Sequence, residues 1–199
     1  MKQKKTVLIL LLVFVLLLGA AYLLYTRLGS SIAPNQLSAT EAQEQSSSGD
    51  GADTSAEEPE PIPAPDFTVY DRDGNEVHLS DYVGKPVVMN FWASWCGPCQ
   101  MEMPDFQAKY EELGEEIQFL MINMTSGRET LETAQNFIAE QGYTFPVFYD
   151  TDSDAAIAYG AYSLPTTYFI DAEGNAVAQA TGAIDGETLQ TGIDMIYQK

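Results

Sequence analysis

The sequence predicts an α/β domain built around a mixed β-sheet, preceded by one transmembrane helix and an acidic linker. Three observations predict this arrangement. Residues 7–25 carry no charged side chain, residues 29–65 are poor in aromatic residues and rich in Ser, Ala, Glu, Gly and Pro, and the remaining residues alternate between strand-like and helix-like apolar patterns. A length of 199 residues suits one domain of ordinary size with additional segments.

The N-terminal segment has the features of a membrane anchor. Lysines precede an uncharged run of 19 residues, which as a helix would be roughly 28 Å long, close to the thickness of bilayer hydrocarbon. A cleaved signal peptide is the alternative, since Gly19-Ala20-Ala21 offers small residues to a peptidase, but the apolar run continues to Tyr25. We therefore expect a cytoplasmic basic flank at residues 1–6, a transmembrane signal anchor at residues 7–28, and all following residues on the extracytoplasmic side of the cell membrane.

Residues 29–65 are predicted to form a disordered acidic linker. They contain seven Asp or Glu residues and no Lys or Arg, and they have too few apolar side chains to offset the entropy cost of ordering. The formal net charge of the whole chain is −20, which repels phosphate, so we expect no nucleic-acid partner. The folded domain is expected at residues 66–199, held near the membrane but free to reorient.

The first elements of that domain are predicted in chain order. Residues 67–70 and 76–79 flank an Asp73-Gly74 turn signal and predict a β-hairpin. Residues 87–92 form an apolar run typical of a central strand buried on both faces. A helix follows directly, because apolar residues recur at helical spacing up to Leu113.

Further strands and helices alternate along the rest of the domain. They are a buried strand at residues 117–124, an amphipathic helix through Leu131, Ala134 and Ile138, a strand through Phe145, Val147 and Tyr149, a short helix at 155–159, a hairpin of strands 166–170 and 176–181, and a closing helix through Leu189, Ile193 and Ile196.

The two cysteines of the chain, Cys96 and Cys99, lie three residues apart where the central strand turns into the first helix. Residues at this spacing face the same way on a helix, roughly 5 to 6 Å apart at Cβ, so the two sulfurs can form and break a disulfide. A disulfide that closes so short a loop stabilises a fold very little. A metal site would need two further ligands, and His78 is the only histidine. We therefore expect a redox-active pair with neither metal nor cofactor.

The position of Cys96 indicates that it is the nucleophile. Unpaired backbone N–H groups and the helix dipole at a first turn favour a thiolate, and cysteines so placed in CxxC motifs have pKa values of roughly 3.5 to 7. We expect Cys96 to be exposed and Cys99, one turn further inside, to be the resolving thiol. Pro98 costs no hydrogen bond at this position.

The domain resembles the thioredoxin fold over residues 63–199. The residues that carry this resemblance are FWASWCGPC at 91–99, Pro104 and Leu164-Pro165-Thr166. More narrowly, Ala64-Pro65-Asp66-Phe67, Gly84-Lys85-Pro86 and CQMEMP at 99–104 resemble the membrane-anchored TlpA/ResA family of thiol-disulfide oxidoreductases. The resemblance implies a thioredoxin-like fold with an N-terminal β-hairpin and, between residues 129 and 150, a central helix–strand insertion.

The resemblance also implies roles for individual residues. Pro165 should be the cis-proline that faces the disulfide, with backbone beside it that pairs with an extended substrate segment. Glu102 matches the buried glutamate that handles protons near the resolving cysteine, the alternative being an exposed helix residue. Cytoplasmic thioredoxins carry an aspartate in place of Asn90, so Glu102 is the nearby carboxylate candidate. The expected catalytic residues are Cys96, Cys99 and Glu102, and the expected substrate groove consists of Trp95, Gly97, Pro98, Leu164, Pro165 and Gly182.

The function implied by the resemblance is reduction of disulfides in exported proteins, with apocytochrome c and extracellular methionine sulfoxide reductases as substrates. Electrons would come from an integral membrane thiol carrier of the CcdA type. The direction of exchange stays open, because the reduction potentials of such couples span roughly −270 to −120 mV, and the Gly97-Pro98 pair only favours the reducing end of that range.

Two alternatives remain beside this function. A peroxiredoxin-like peroxidase shares the opening at residues 64–67, but its cysteine lies in a threonine-containing loop, whereas Cys96 follows Trp95. A non-enzymatic copper chaperone of the Sco type needs a wider cysteine spacing and a downstream histidine, and no histidine follows His78. His78 is expected in a surface strand. The methionines near the site, Met101, Met103, Met121 and Met124, are expected to fill the core rather than bind copper.

Overall fold

The computed structural model describes residues 36–39 and 61–198. Within them, eight strands form one sheet, which is flanked by four α-helices. The strands are β1 (Leu37–Ala39), β2 (Thr68–Tyr70), β3 (Glu76–His78), β4 (Val87–Trp92), β5 (Gln118–Asn123), β6 (Val147–Tyr149), β7 (Thr166–Ile170) and β8 (Ala176–Thr181). The helices are α1 (Gly97–Leu113), α2 (Leu131–Gln141), α3 (Asp154–Tyr159) and α4 (Gly186–Ile196), and a 3-10 turn covers Leu79–Tyr82.

The sheet is mixed, as the sequence predicts, with strand order β1-β8-β7-β4-β5-β6-β2-β3. Strands β4, β5 and β6 run parallel to their neighbours in that trio, while the other pairings are antiparallel. The predicted first hairpin is confirmed by β2 and β3, where Val69 lies opposite Val77. The predicted insertion consists of α2 and β6, which extends the sheet beyond β5.

Strand β4 lies at the centre of the domain, and all six of its residues are buried. Its side chains alternate between two apolar clusters, one on each face of the sheet. On one face Val88 and Trp92 pack with residues of α1 and α4, including Met103, Phe106, Leu189 and Ile193. On the other face Val87, Met89 and Phe91 pack with Val69, Leu79 and Tyr159. The carboxyl end of β4, where the cysteine loop begins, is thereby packed on both faces.

Strand β1 is a difference from the sequence-based expectation, because it lies inside the predicted disordered linker. Leu37 is paired with Ala180 and Ala39 with Ala178 along the edge of β8. At the other end of the linker, the Ile62 carbonyl accepts a hydrogen bond from the N–H of Ala176 at 2.8 Å. The folded domain therefore includes Ile62 and does not begin at residue 66. Backbone pairing with β8 provides hydrogen bonds that local composition cannot reveal.

No helix among residues 36–39 and 61–198 combines the length and the apolar character needed to cross a bilayer. The predicted basic flank at residues 1–6 and anchor at residues 7–28 lie outside the described residues. Residues 40–60 of the predicted linker lie outside them as well.

The four methionines near the cysteines do not share one environment. Met103 and Met121 are buried, as expected, and Met124 is half-buried. The expectation of core packing is wrong for Met101, which is 70% exposed, because it lies on the outer face of α1. His78 is the last residue of β3, and its Nδ1 lies 3.2 Å from Oγ1 of Thr68.

Candidate active site

Cys96 and Cys99 form a disulfide at the N-terminus of α1. Their Cα atoms are 5.2 Å apart. Cys96 caps the helix: its backbone is extended, and its Sγ accepts a hydrogen bond from the backbone N–H of Cys99 at 3.2 Å. After reduction the same donor, together with the N–H of Gly97 and the helix dipole, would stabilise a thiolate on Cys96.

The two sulfurs differ in their access to solvent. Cys96 lines an open groove, although only 4% of the residue is exposed, whereas Cys99 has no exposed surface. The expectation that Cys96 is exposed is therefore wrong for the residue as a whole, because most of its surface is covered. The order of access is the expected one, and an incoming sulfur can reach only Cys96.

Glu102 lies in the core, with 2% of its surface exposed, one helical turn after Cys99. Its Oε1 accepts a hydrogen bond of 2.8 Å from Nδ2 of Asn90, and its Oε2 accepts one of 3.0 Å from the backbone N–H of Ile184. Burial raises the pKa of Glu102 from 4.5 to about 8, and the two hydrogen bonds offset this only in part. The carboxyl group is therefore mostly protonated at neutral pH and can hold or release a proton near Cys99.

Asn90 ties Glu102 to the strand that follows the cis-proline. Its Nδ2 group donates a second hydrogen bond, of 3.0 Å, to Oγ1 of Thr167 in β7. Its Oδ1 is buried, and no described residue donates a hydrogen bond to it. From the sequence, Asn90 was notable only as the place where an aspartate is missing. In the structure it is the hydrogen-bond partner of Glu102, the buried acid one helical turn after Cys99.

The peptide between Leu164 and Pro165 is cis, as the resemblance implies. The carbonyl of Pro165 accepts a hydrogen bond of 2.9 Å from the N–H of Gly182. Gly182 has a φ of +94°, a conformation that side chains with a Cβ rarely adopt, so glycine suits this turn. Leu164 borders the same groove as Cys96, which places the cis-proline loop next to the disulfide.

The groove beside the disulfide has a volume of about 520 Å³. It is lined by Trp95, Cys96, Gly97, Pro98, Met124, Ser126, Arg128, Ala161, Tyr162 and Leu164. Four of the six predicted groove residues are among them, whereas Pro165 and Gly182 are not among the described residues that line it. Ala161 and Tyr162 could have been found from their position just before Leu164. No sequence pattern indicated Met124, Ser126 or Arg128, which lie beyond the end of β5.

The segment after β5 is fastened to the cysteine loop by Glu129, which is 3% exposed. Its Oε1 accepts hydrogen bonds of 3.1 Å from the backbone N–H of Ser94 and from Nδ2 of Asn123. Its Oε2 accepts one of 2.8 Å from Oγ of Ser94. The neighbouring Arg128 lies over the ring of Trp95, with Cζ 3.6 Å from the ring centroid. The sequence-based prediction missed both residues.

Comparison with known proteins agrees with this geometry. The family model described as the AhpC/TSA family matches residues 62–179. Thiol-disulfide oxidoreductase ResA of Bacillus anthracis is 38% identical over 130 residues, which cover 64% of this chain and 72% of that protein. The ResA of Bacillus subtilis (strain 168) is 34% identical over 134 residues, which cover 67% of this chain and 73% of that protein.

A solved structure extends the comparison to the fold. The exposed lipoprotein thioredoxin Etrx1 from Streptococcus pneumoniae strain TIGR4 is 33% identical, with a TM-score of 0.58 over 65% of this chain and 99% of that chain. The disulfide at the start of α1, the cis-proline loop and the thioredoxin-like sheet are thus found in a chain with extensive similarity to oxidoreductases of this type. The chain belongs to the ResA-like thiol-disulfide oxidoreductases of the thioredoxin superfamily.

Proposed function

We propose that the chain reduces disulfide bonds of exported proteins, on the outer side of the cell membrane. The observation that carries this proposal is the unequal placement of the two sulfurs: Cys96 borders the groove, and Cys99 is enclosed one helical turn from Glu102. Such a pair can attack a bound disulfide with one sulfur and release the product with the other.

In the reducing direction, the Cys96 thiolate attacks one sulfur of the substrate disulfide. A bond forms between Cys96 and that sulfur, the substrate disulfide breaks, and the second substrate sulfur leaves as a thiolate that takes a proton from water. Cys99 then attacks Sγ of Cys96 while its thiol proton passes to Glu102 in its ionised form, and the first substrate sulfur leaves as a thiolate that is also protonated by water. Two electrons have moved to the substrate, and the chain is left with the Cys96–Cys99 disulfide.

An electron donor restores the dithiol by the reverse sequence. A donor thiolate attacks Sγ of Cys96, the bond to Cys99 breaks, and the proton held by Glu102 neutralises the Cys99 thiolate. The raised pKa of Glu102 in the disulfide state supports this role, because the carboxyl group carries a proton before the bond opens. A second donor thiolate then releases Cys96.

The proposed location rests on the N-terminal sequence, and the proposed partners rest on the resemblance to the TlpA/ResA family. Residues 7–28 would anchor the chain with its N-terminus in the cytoplasm. Disulfides form readily outside the cytoplasm, so a reductase there needs electrons delivered across the bilayer. We propose an integral membrane thiol carrier of the CcdA type as the donor, and apocytochrome c or methionine sulfoxide reductases as the substrates.

The function is tested by trapping. The Cys99→Ala variant of the full chain cannot resolve a mixed disulfide, so exported substrates should accumulate on Cys96 and be identified after purification under nonreducing conditions. The double variant Cys96→Ala/Cys99→Ala is the matched control and should capture none. The proposal fails if no exported protein is trapped and the wild-type chain does not reduce insulin in the presence of dithiothreitol.

The location has its own test. In intact cells, a maleimide that does not cross membranes should label Cys96 of the Cys99→Ala variant after mild reduction. Labelling that requires lysis of the cells would place the domain in the cytoplasm and contradict the proposed location.

A peroxidase is the second candidate, and the match to the AhpC/TSA family favours considering it. A peroxidase would consume hydrogen peroxide rapidly when only a small-molecule thiol is supplied. We expect the chain to reduce disulfides much faster than it consumes peroxide, because the Cys96 sulfur faces a groove open enough for a peptide. The opposite ranking of the two rates would favour the peroxidase.

A further inference from the structure

The groove at the disulfide has a charge opposite to that of the chain as a whole. The formal net charge of the chain is −20, yet no Asp or Glu is among the described residues that line the groove. Four basic residues lie in the described part of the chain, namely Arg72, Lys85, Lys109 and Arg128. Of these, Arg128 alone lines the groove.

Arg128 stacks on an aromatic ring, and no other described residue accepts a hydrogen bond from it. Its guanidinium lies 3.6 Å from the centroid of the Trp95 ring, a cation–π contact. No carboxylate of the described residues forms an ion pair with it. A guanidinium that is stacked on a ring still has N–H groups around its edge, in a fork that matches the two oxygens of a carboxylate.

The position of Arg128 is set by its neighbour. Glu129 is buried, and its carboxylate accepts hydrogen bonds from Ser94 and Asn123, so it connects the segment after β5 with the residue before Trp95. Both members of the cation–π pair are therefore next to the same anchor. A group fixed in this way loses little conformational entropy when it binds a ligand.

The remaining walls suit a peptide rather than a small anion. Tyr162 is 81% exposed and Trp95 is 45% exposed, and together with Met124 they give the groove broad apolar and aromatic surfaces. Such surfaces take up the side chains of an extended segment, and Arg128 adds one charged contact among them. The Debye length is about 8 Å at physiological ionic strength, so acidic residues that lie farther than this from Arg128 have little effect on a carboxylate bound to it.

We propose that Arg128 binds a carboxylate side chain of the substrate close to its reacting cysteine, and that the chain prefers disulfides flanked by Asp or Glu. This inference rests on the proposed function and specifies its substrate class. Arg128 is thus a specificity residue for the exchange reaction.

The test compares three peptides, each with one internal disulfide and blocked termini. They are identical except for the residue beside the first cysteine, which is Asp, Asn or Lys. The reduced full-length chain is mixed with each peptide, and the second-order rate constant is followed by tryptophan fluorescence. We expect the Asp peptide to react about three- to tenfold faster than the Asn peptide at physiological ionic strength, with the Lys peptide slowest, and the preference to shrink as further salt is added.

Variants assign the preference to one side chain. In Arg128→Gln the ratio of the Asp and Asn rate constants should fall to about one, and Arg128→Lys should retain part of it. Arg72→Gln removes the same charge from an exposed arginine that does not line the groove, and should keep the wild-type ratio. Equal rate constants for the Asp and Asn peptides in the wild type, or a ratio that survives in Arg128→Gln, would overturn the inference while leaving the proposed function standing. Failure to reduce any of the three peptides would overturn both.

Discussion

The side-chain amide of Asn90 donates a hydrogen bond of 2.8 Å to the carboxyl group of Glu102, and both residues are almost completely removed from solvent. The same amide is bonded to Thr167, so neither of its N–H groups is left for another partner. An aspartate at position 90 would instead place a second carboxyl group beside Glu102. With asparagine there, the hydrogen-bond partner of Glu102 is uncharged, so the titration of Glu102 can be tested without that of a second carboxyl group.

The stability of the disulfide form should depend on pH through Glu102. Its pKa is about 8 in the folded chain against an ordinary value of 4.5, so the folded state holds a proton that the unfolded chain has already released. The free energy of unfolding therefore falls as the pH rises from about 5 to about 9, by at most about 4 kcal/mol. Urea unfolding of the disulfide form across this range measures the effect. Glu102→Gln should flatten the profile and Glu116→Gln, at an exposed site, should not; parallel profiles for all three chains would contradict the prediction.

The rate at which the disulfide opens should also depend on the protonation of Glu102. We normalise the rate of opening by dithiothreitol to the concentration of the dithiothreitol thiolate. In the wild type this normalised rate should fall above about pH 8, because Glu102 then has no proton for Cys99. Glu102→Gln should be about tenfold slower at neutral pH or below, without that fall. Stopped-flow fluorescence over this pH range measures both. A variant whose normalised profile coincides with that of the wild type would remove Glu102 from the proton transfer.

The two cysteines should differ in reactivity once they are reduced. Cys96 borders the groove and accepts an N–H at the helix start, whereas Cys99 is enclosed. We expect brief alkylation with iodoacetamide to modify Cys96 at least about tenfold faster than Cys99. Mass spectrometry of the digested chain gives the ratio, and the urea-unfolded chain, where both thiols are accessible, is the control. Preferential modification of Cys99 would reverse the assigned roles.

Glu129→Gln should weaken the link between the cysteine loop and β5. The amide keeps one acceptor oxygen and places an N–H donor where Oε2 accepts from Oγ of Ser94, so that hydrogen bond must reverse, and the contacts with Ser94 and Asn123 lose the charge of the carboxylate. We expect a loss of about 1 to 3 kcal/mol in the free energy of unfolding, measured by urea denaturation. Glu140→Gln, at an exposed position of α2, should change it by less than about 0.5 kcal/mol. Equal effects of the two substitutions would show that the Glu129 contacts add no stability.

Gly192→Ala should destabilise the contact of α4 with the sheet. A Cβ at position 192 would overlap the ring of Phe169 in β7, so the helix or the ring must shift. Overpacking of this kind costs about 1 to 3 kcal/mol in the free energy of unfolding. The control is Thr191→Ala at the exposed neighbouring position, which should give a small gain in stability from helix propensity. Thermal unfolding measures both. If the clash is the cause, adding Phe169→Leu to Gly192→Ala should cost less than the sum of the two single changes.

Most strands and helices could be predicted because their signals lie in neighbouring residues. The apolar run of β4, the alternation in β6 and the helical spacing of α1 and α4 each reflect burial that repeats with the period of the backbone. Strand β1 could not be predicted in this way. Its residues pair with β8, far along the chain, and the hydrogen bonds involve backbone atoms that every sequence has.

The sequence by itself determined the chemistry: two cysteines at helical spacing, at the start of a helix that follows a buried strand, support exchange of a disulfide whatever surrounds them. Only the tertiary structure decided how that chemistry is controlled. It enclosed Cys99, buried Glu102 against Asn90 and raised its pKa, and brought Arg128 and Glu129 from the far end of β5 to the cysteine loop. Burial, pKa and groove charge are sums over neighbours that lie far apart in the chain, and for that reason they become defined only when the sheet and helices have packed.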